Sequence, residues 1–416
     1  MVKRIVLGAL GGILCVSSMA WAADPGLTAE IDALKERLAQ LEAKMAAQDA
    51  VASGAAPGNA VLQLPSALHG LNLSGFVDTS YTYSFNEPNT RANTLRVFDT
   101  RAGDFMINNA ELVLEKPVSS ESPVGFRTDL DFGTDAEVVG SVTTGLGRGD
   151  DELDIQQGYV EYLAPIGNGL DVKFGKFVTL HGAEVIEAKD NWNFSRSYLF
   201  GFAIPFTHTG IRANYAWTPW LSTVVGINNG WDVVDDNNKA KTIELGTTVS
   251  PLEHLSFSGT YMVGAEQNSD SRDQRHLLDL VATYQPLDQL TLKLNFDLGY
   301  EQDAVDEENG GDATWNGLAL YAKYDIDPKW SLATRWEMFN DQDGVRTTAN
   351  TGGLTGSGVA DLALYEWTLT TEYKLYEHLL ARLEYRLDKA DSEVFRHHQG
   401  FTDYQNSVAL EFIAPF

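Results

Sequence analysis

The sequence predicts an all-β fold: a transmembrane antiparallel β-barrel of about sixteen strands, preceded by a short coiled-coil helix. Three observations carry this prediction. Long runs alternate apolar and polar side chains, as strands between lipid and water must. Short turns alternate regularly with long polar loops. No stretch after the N-terminus stays apolar for the roughly 20 residues that a spanning helix requires. Composition agrees, because 44% of residues are hydrophobic while the mean hydropathy is slightly negative at −0.20.

Residues 1–22 read as a secretory signal. Lys3 and Arg4 open it, an apolar run from Ile5 to Val16 follows, and Ala20-Trp21-Ala22 offers small residues for cleavage. Cys15, the single cysteine, lies in that run. Leu14 before it is too large for a lipoprotein signal. The processed chain is therefore expected to lack disulfides and thiolate chemistry. Losing Lys3 and Arg4 takes the formal charge from −28 to −30. So acidic a chain argues against nucleic-acid binding, which needs a basic footprint. It suits outer loops that hold divalent cations among lipopolysaccharide, with membrane lipid as the other surrounding partner.

Residues 23–50 form the next unit. Leu27, Ile31, Leu34, Leu38, Leu41 and Met45 repeat at spacings of four and three, flanked by charges such as Glu30, Lys35 and Glu42. This is a coiled-coil seam of about three heptads, too short to be stable alone in water and so expected to self-associate. Residues 51–69, rich in Ala, Gly and Pro, read as a flexible linker.

From residue 70 to 416 nearly every segment alternates. In residues 289–302, Leu290, Leu292, Leu294, Phe296, Leu298 and Tyr300 oppose Thr291, Lys293, Asn295, Asp297, Gly299 and Glu301. Residues 71–85 and 378–388 repeat the scheme. These runs are 10 to 15 residues long, whereas strands in soluble proteins average about 5–6. Seven short links lie at 116–123, 165–169, 219–220, 251–254, 286–288, 327–329 and 376–378. Eight long loops lie between them, at 86–103, 133–154, 179–206, 229–240, 265–275, 301–313, 340–360 and 388–403. Sixteen strands follow, with both barrel ends on the short-turn side. Trp217, Trp220, Tyr284, Tyr324, Trp330 and Tyr373 cluster beside the short turns, where an interfacial girdle belongs. Fourteen and eighteen strands are the alternatives, the count resting on whether 133–154 or 340–360 holds an extra hairpin.

The last ten residues alternate too, with Val408, Leu410, Phe412, Ala414 and Phe416 on one face. The stretch resembles the closing strand of bacterial outer-membrane barrels, in which the terminal aromatic is part of an assembly signal; the resemblance gives Phe412 and Phe416 that role. Ser74 to Pro88 (SGFVDTSYTYSFNEP), Asn109 to Pro117 (NAELVLEKP), Phe174-Gly175-Lys176-Phe177, Gly182-Ala183-Glu184-Val185-Ile186, Asn193-Phe194-Ser195-Arg196-Ser197 and Pro205 to Gly210 resemble the outer-membrane β-barrel porin family. That likeness covers about residues 70–416 and implies a channel for passive diffusion of small hydrophilic solutes in the bacterial outer membrane. The heptads are reminiscent of phosphate-selective porins, which carry a periplasmic coiled coil. Resemblance to porins also implies a homotrimer.

Charges of both signs fall on the polar faces, among them Glu111, Asp129, Glu337 and Glu384 against Arg127, Arg212, Arg335 and Arg382. Such a row is too costly to face lipid and too abundant to be buried dry, so it is expected to line water. Acids outnumber bases, which predicts a preference for cations. The loop at 179–206 carries Trp192, Phe194, Tyr198, Phe200, Phe202 and Phe206. By analogy with general porins it should fold inward. Glu184, Glu187 and Asp190 would then face the lumen, with Lys189 and Arg196 in the same loop and Arg127 and Arg212 opposite. No catalytic residue, metal site or cofactor is expected. Ser195 with His181 or His208 only faintly resembles an outer-membrane phospholipase pair, and the His-x-Ser-Asn-Gly element is missing. The acidic stretch Asp303, Asp306, Glu307, Glu308, Asp312 and the pair His397-His398 read as solvated loops. The rival reading is a structural or adhesin-type barrel without an open pore.

Overall fold

A computed structural model of the chain describes residues 70–140, 152–305, 311–349 and 361–416. The signal at 1–22, the heptads at 23–50 and the linker at 51–69 lie outside the described residues. Sixteen antiparallel strands close into one barrel. In chain order they are β1 (Asn72–Ser84), β2 (Phe105–Lys116), β3 (Val124–Phe132), β4 (Leu153–Ala164), β5 (Leu170–Val178), β6 (Thr207–Thr218), β7 (Leu221–Asn228) and β8 (Thr242–Leu252). There follow β9 (Leu255–Ala265), β10 (Gln274–Leu287), β11 (Leu290–Val305), β12 (Gly311–Asp325), β13 (Trp330–Asp341), β14 (Leu362–Tyr376) and β15 (Leu379–Ala390). Two short strands, β16 (Phe395–His397) and β17 (Gly400–Thr402), pair only with each other inside the last long loop, and β18 (Tyr404–Pro415) closes the barrel. This hairpin adds no wall strand; residues 141–151 and 350–360, in the two loops where an extra hairpin was considered, lie outside the described residues.

Alternation sorts the two faces of the wall. On β11, Leu292, Leu294 and Leu298 are exposed outward while Asn295 and Asp297 are buried inward. The outward set continues through Leu320, Trp336, Tyr365, Trp367, Leu383 and Leu410, a band of apolar surface suited to lipid rather than water. Trp217, Trp220, Tyr284, Tyr324 and Trp330 are exposed beside the short turns, and Trp330 stacks on Tyr373 at 4.3 Å. Among the described residues no helix is long and apolar enough to cross a membrane.

The closing seam pairs β1 with β18 from Phe76↔Pro415 to Ser84↔Ser407. Phe416 exchanges both backbone hydrogen bonds with Gly75, at 3.0 and 3.2 Å. Sequence reasoning placed Phe416 near Leu71, four residues away. A side chain at position 75 would meet the Glu111 carbonyl at 2.1 Å and the Phe416 ring at 2.7 Å, so glycine permits the approach. The stretch 301–313 was expected to be loop throughout. Instead β11 and β12 run on to Val305 and Gly311, because pairing at Glu301↔Ala313 and Val305↔Gly311 continues the ladder.

Candidate functional site

The loop between β5 and β6, residues 179–206, lies inside the barrel. Gly182 turns it inward with φ of +91°, and the Ala183 amide donates to Asn295 Oδ1 of the wall at 3.1 Å. Its aromatic side chains then leave water. Phe194, Tyr198, Phe200, Phe202 and Phe206 are all buried. Phe202 stacks between Tyr198 and Phe339 of β13, each at 6.1 Å, and Phe98 packs on Phe200 and Phe206 at 5.8 and 5.7 Å. Trp192 packs edge-on against Tyr321 of β12, with Lys293 Nζ 4.4 Å from its ring centre.

An irregular loop buried in this way must satisfy its backbone groups. Charged wall side chains do so. Glu337 accepts from the amides of Tyr198 (2.7 Å) and Leu199 (3.2 Å). Glu384 accepts from those of Phe194 (2.7 Å) and Ser195 (3.0 Å). In the other direction, Arg335 donates to the Ser195 carbonyl (2.7 Å), Arg382 to those of Ala188 (2.9 Å) and Asn191 (2.7 Å), and Arg386 to that of Arg196 (2.6 Å). Arg335, Arg382 and Arg386 are 0–1% exposed. Charges on β13–β15 that alternation assigned to the lumen therefore grip the loop.

The site residues divide accordingly. Glu184 does not face the lumen: Arg335 donates to its Oε1 at 2.6 Å and the Ser197 amide to its Oε2 at 2.7 Å. Arg196 is also buried, donating to the carbonyls of Val185 (3.2 Å), Phe194 (2.7 Å) and Ile186 (2.5 Å). Arg212 holds both oxygens of Glu244, at 2.9 and 3.0 Å, and stacks over Phe177 at 4.0 Å. These three expectations are corrected for one reason: a loop pressed against the wall turns nearby charges into its own fastenings.

Glu187, Lys189 and Asp190 behave differently. They sit on the exposed side of the loop at a single 3-10 turn, Ala188–Asp190, and Lys189 and Asp190 pair with each other. Glu187 faces β2, β3 and β4, and Lys189 Nζ lies 5.9 Å from the ring centre of Phe76 on β1. Carboxylate oxygens of Glu187, Glu111 and Asp129 all lie within 4.8 Å of one another. Arg127, 28% exposed at its side chain, donates to Asp129 at 2.8 Å and lies 3.8 Å from Glu115. Lys173, 29% exposed, lies 3.5 Å from Glu161 and donates to the Tyr159 hydroxyl at 3.2 Å. Glu115, Arg127, Glu161, Lys173, Glu187, Lys189 and Asp190 thus stay at least partly open to water in this sector, with Glu111 and Asp129 buried behind them. Carboxylates predominate there.

Sequence reasoning missed two contributors. The loop at residues 85–104 also turns inward, carrying buried Leu95 and Phe98, and its Arg96 pairs with Asp388 at 2.5 Å. Its Leu95-Arg96-Val97-Phe98 stretch was a legible apolar interruption. The other is Arg346 on a short helix (Val345–Ala349), which donates to the Phe202 carbonyl at 2.7 Å. The hydrogen bonds of His181 and His208 run to Thr179 and Gly230, whereas Ser195 Oγ accepts from Arg335. Burial lowers the His181 pKa to about 3, so its ring is neutral. Phe412 faces outward on β18 and Phe416 is exposed beside it, as alternation predicts.

Outer-membrane proteins of known structure share this architecture. The family model described as "Putative beta-barrel porin-2, OmpL-like" matches residues 70–416. An anion-selective porin from Comamonas acidovorans is similar in fold at 13% identity and a TM-score of 0.56, covering 83% of this chain and 99% of its own. The outer membrane channel DcaP of Acinetobacter baumannii, at 16% identity and a TM-score of 0.54, covers 83% and 97%. The trimer form of in-vitro folded OmpT, an outer membrane protein of Vibrio cholerae, at 10% and 0.55, covers 83% and 99%. No curated protein matches the sequence.

Proposed function

The chain belongs to the beta-barrel porin-2, OmpL-like family over residues 70–416, and on that premise we propose that it is a cation-preferring outer-membrane porin for passive diffusion of small hydrophilic solutes. One observation carries the preference: Glu111, Asp129 and Glu187 converge where the third long loop meets the wall, Glu187 on the side open to water and the other two buried behind it. Rings of one charge raise the local concentration of the opposite ion. Glu161, Glu115 and Asp190 extend the acidic lining, with Arg127, Lys173 and Lys189 as the opposing charges. The constriction is thus asymmetric, with acids set among a few bases. A diffusion path is favoured over the phospholipase reading, because Ser195 Oγ accepts from Arg335 while the His181 and His208 rings bond elsewhere.

The barrel sits in membrane lipid and lipopolysaccharide, and residues 27–49 assemble three copies on the periplasmic side. The trimer form of the Vibrio cholerae protein supports the stoichiometry by analogy. A second reading is favoured by the buried core of the inner loops: a barrel that is plugged and serves as a structural element or adhesin. Conductance separates the two. In planar bilayers with a KCl gradient, the purified protein should give discrete channels whose reversal potential has the sign of cation preference. A clear anion preference overturns the selectivity, and a correctly folded barrel without channels overturns the pore.

A further inference from the structure

We propose that the barrel binds a divalent cation of the Ca²⁺ or Mg²⁺ class where the third long loop meets the wall, through Glu111 of β2, Asp129 of β3 and Glu187 of the loop. One carboxylate oxygen from each lies within 4.8 Å of the others. An ion with oxygens at about 2.3–2.6 Å spans that separation. Convergence alone would be an acidic cluster, but hydrogen bonding points further. Glu111 is only 3% exposed, yet neither of its carboxylate oxygens has a hydrogen-bond partner. Asp131, its direct cross-strand neighbour, is fully buried as well. Like charges directly opposite on a sheet destabilise it, and buried charges without partners cost far more.

The nearby bases do not resolve this. Arg127 is engaged with Asp129 and Glu115, and Lys189 with Asp190. Gln156 donates to Glu187 at 2.8 Å and leaves its own buried carbonyl oxygen unpartnered. An all-oxygen set of this kind selects Ca²⁺ or Mg²⁺ over transition metals. A second convergent group, His181, His208 and Glu244, is the weaker candidate. There both Glu244 oxygens already accept from Arg212 and both ring nitrogens of His208 are engaged, with Gly230 and Thr179, whereas in the acidic group only Asp129 is so occupied, by Arg127 and Gln157, and Glu111 is not. At the acidic site, by contrast, an ion would tie the loop turn to the wall and reduce the negative charge at the constriction.

Calorimetric titration of lipopolysaccharide-free, EDTA-treated full-length protein with CaCl₂ tests this directly. One binding event per chain is expected, weakened at least tenfold by Glu111→Gln or Glu187→Gln and unchanged by Asp270→Asn in a distant surface loop. Hydrogen exchange on the wild-type protein gives a readout that survives misfolded variants: Ca²⁺ should protect the amides of 185–191. Absence of a binding heat, equal affinity of wild type and both glutamine variants, or no protection at 185–191 overturns the site. Neither measurement requires the barrel to conduct. Binding by a non-conducting barrel would therefore overturn the pore while supporting the ion site.

Discussion

At the scale of single residues, the decisive feature is that buried charges act as fasteners. Arg335 connects Glu366 on β14 (2.7 Å), Glu184 in the loop (2.6 Å) and the Ser195 carbonyl (2.7 Å), all without contact with water. Arg335→Ala would leave both carboxylates without their partner. Breaking such a buried pair costs about 3–5 kcal/mol. The expected result is faster hydrogen exchange across 184–200, with the barrel strands unaffected. Arg335→Lys should not rescue it, because an ammonium cannot reproduce the planar fork. A second residue gives a pH dependence. Asp135, in the short helix Thr134–Val139, has its pKa raised by burial to about 7. Of the charges around it, Arg196 opposes the rise while Asp99 and Glu411 add to it, and Asp78 faces it from β1. The folded pKa exceeds that of the unfolded chain, so the folded state holds the extra proton between about pH 4 and pH 7. The contribution to stability is complete below pH 4 and is lost as pH rises through 7. Amide protection across 134–139, corrected for intrinsic rates, should therefore fall from pH 5 to pH 8. Asp135→Asn should flatten that change.

At the scale of elements, the third long loop sets the cross-section of the lumen. Deleting 184–200 would remove the aromatic cluster from the interior and free Glu337, Glu384, Arg335 and Arg382 to line water. Single-channel conductance should rise substantially; no change in a correctly folded barrel would show that the loop does not limit the path. Charge and size can be separated. Glu187→Gln with Asp190→Asn should weaken cation preference at nearly constant conductance, because both side chains lie on the exposed side of the turn. Adding Glu184→Gln should change conductance as well, because it breaks the link to Arg335 rather than altering the lining.

At the scale of the whole molecule, closure of β1 on β18 removes every free strand edge from the wall. An outer band of Leu, Trp and Tyr then leaves lipid as the natural solvent. Assembly beyond one barrel is expected to come from the heptads. Cross-linking should give trimers for the full-length protein and a reduced yield when 24–50 is deleted. Identical monomeric behaviour of the two would show that the seam does not assemble.

Alternation along the sequence determined the strands, the two faces of the wall, and the order of short turns and long loops. Each of these depends only on a side chain's position relative to its neighbours in the chain. Alternation could not fix the seam, because a slip of four residues from Leu71 to Gly75 leaves every side chain on the same face. Nor could it tell which inward charges meet water. Glu161, Glu337 and Glu384 have the same polar-face signature, yet Glu337 and Glu384 are buried holding loop amides while Glu161 stays partly open beside Lys173. The aromatic content of 179–206 was legible, and so was its burial, since that much apolar surface must leave water. Its landing place was not. That was decided by the wall on the far side of the barrel, where residues 138 to 194 positions away supply the partners that buried backbone groups require.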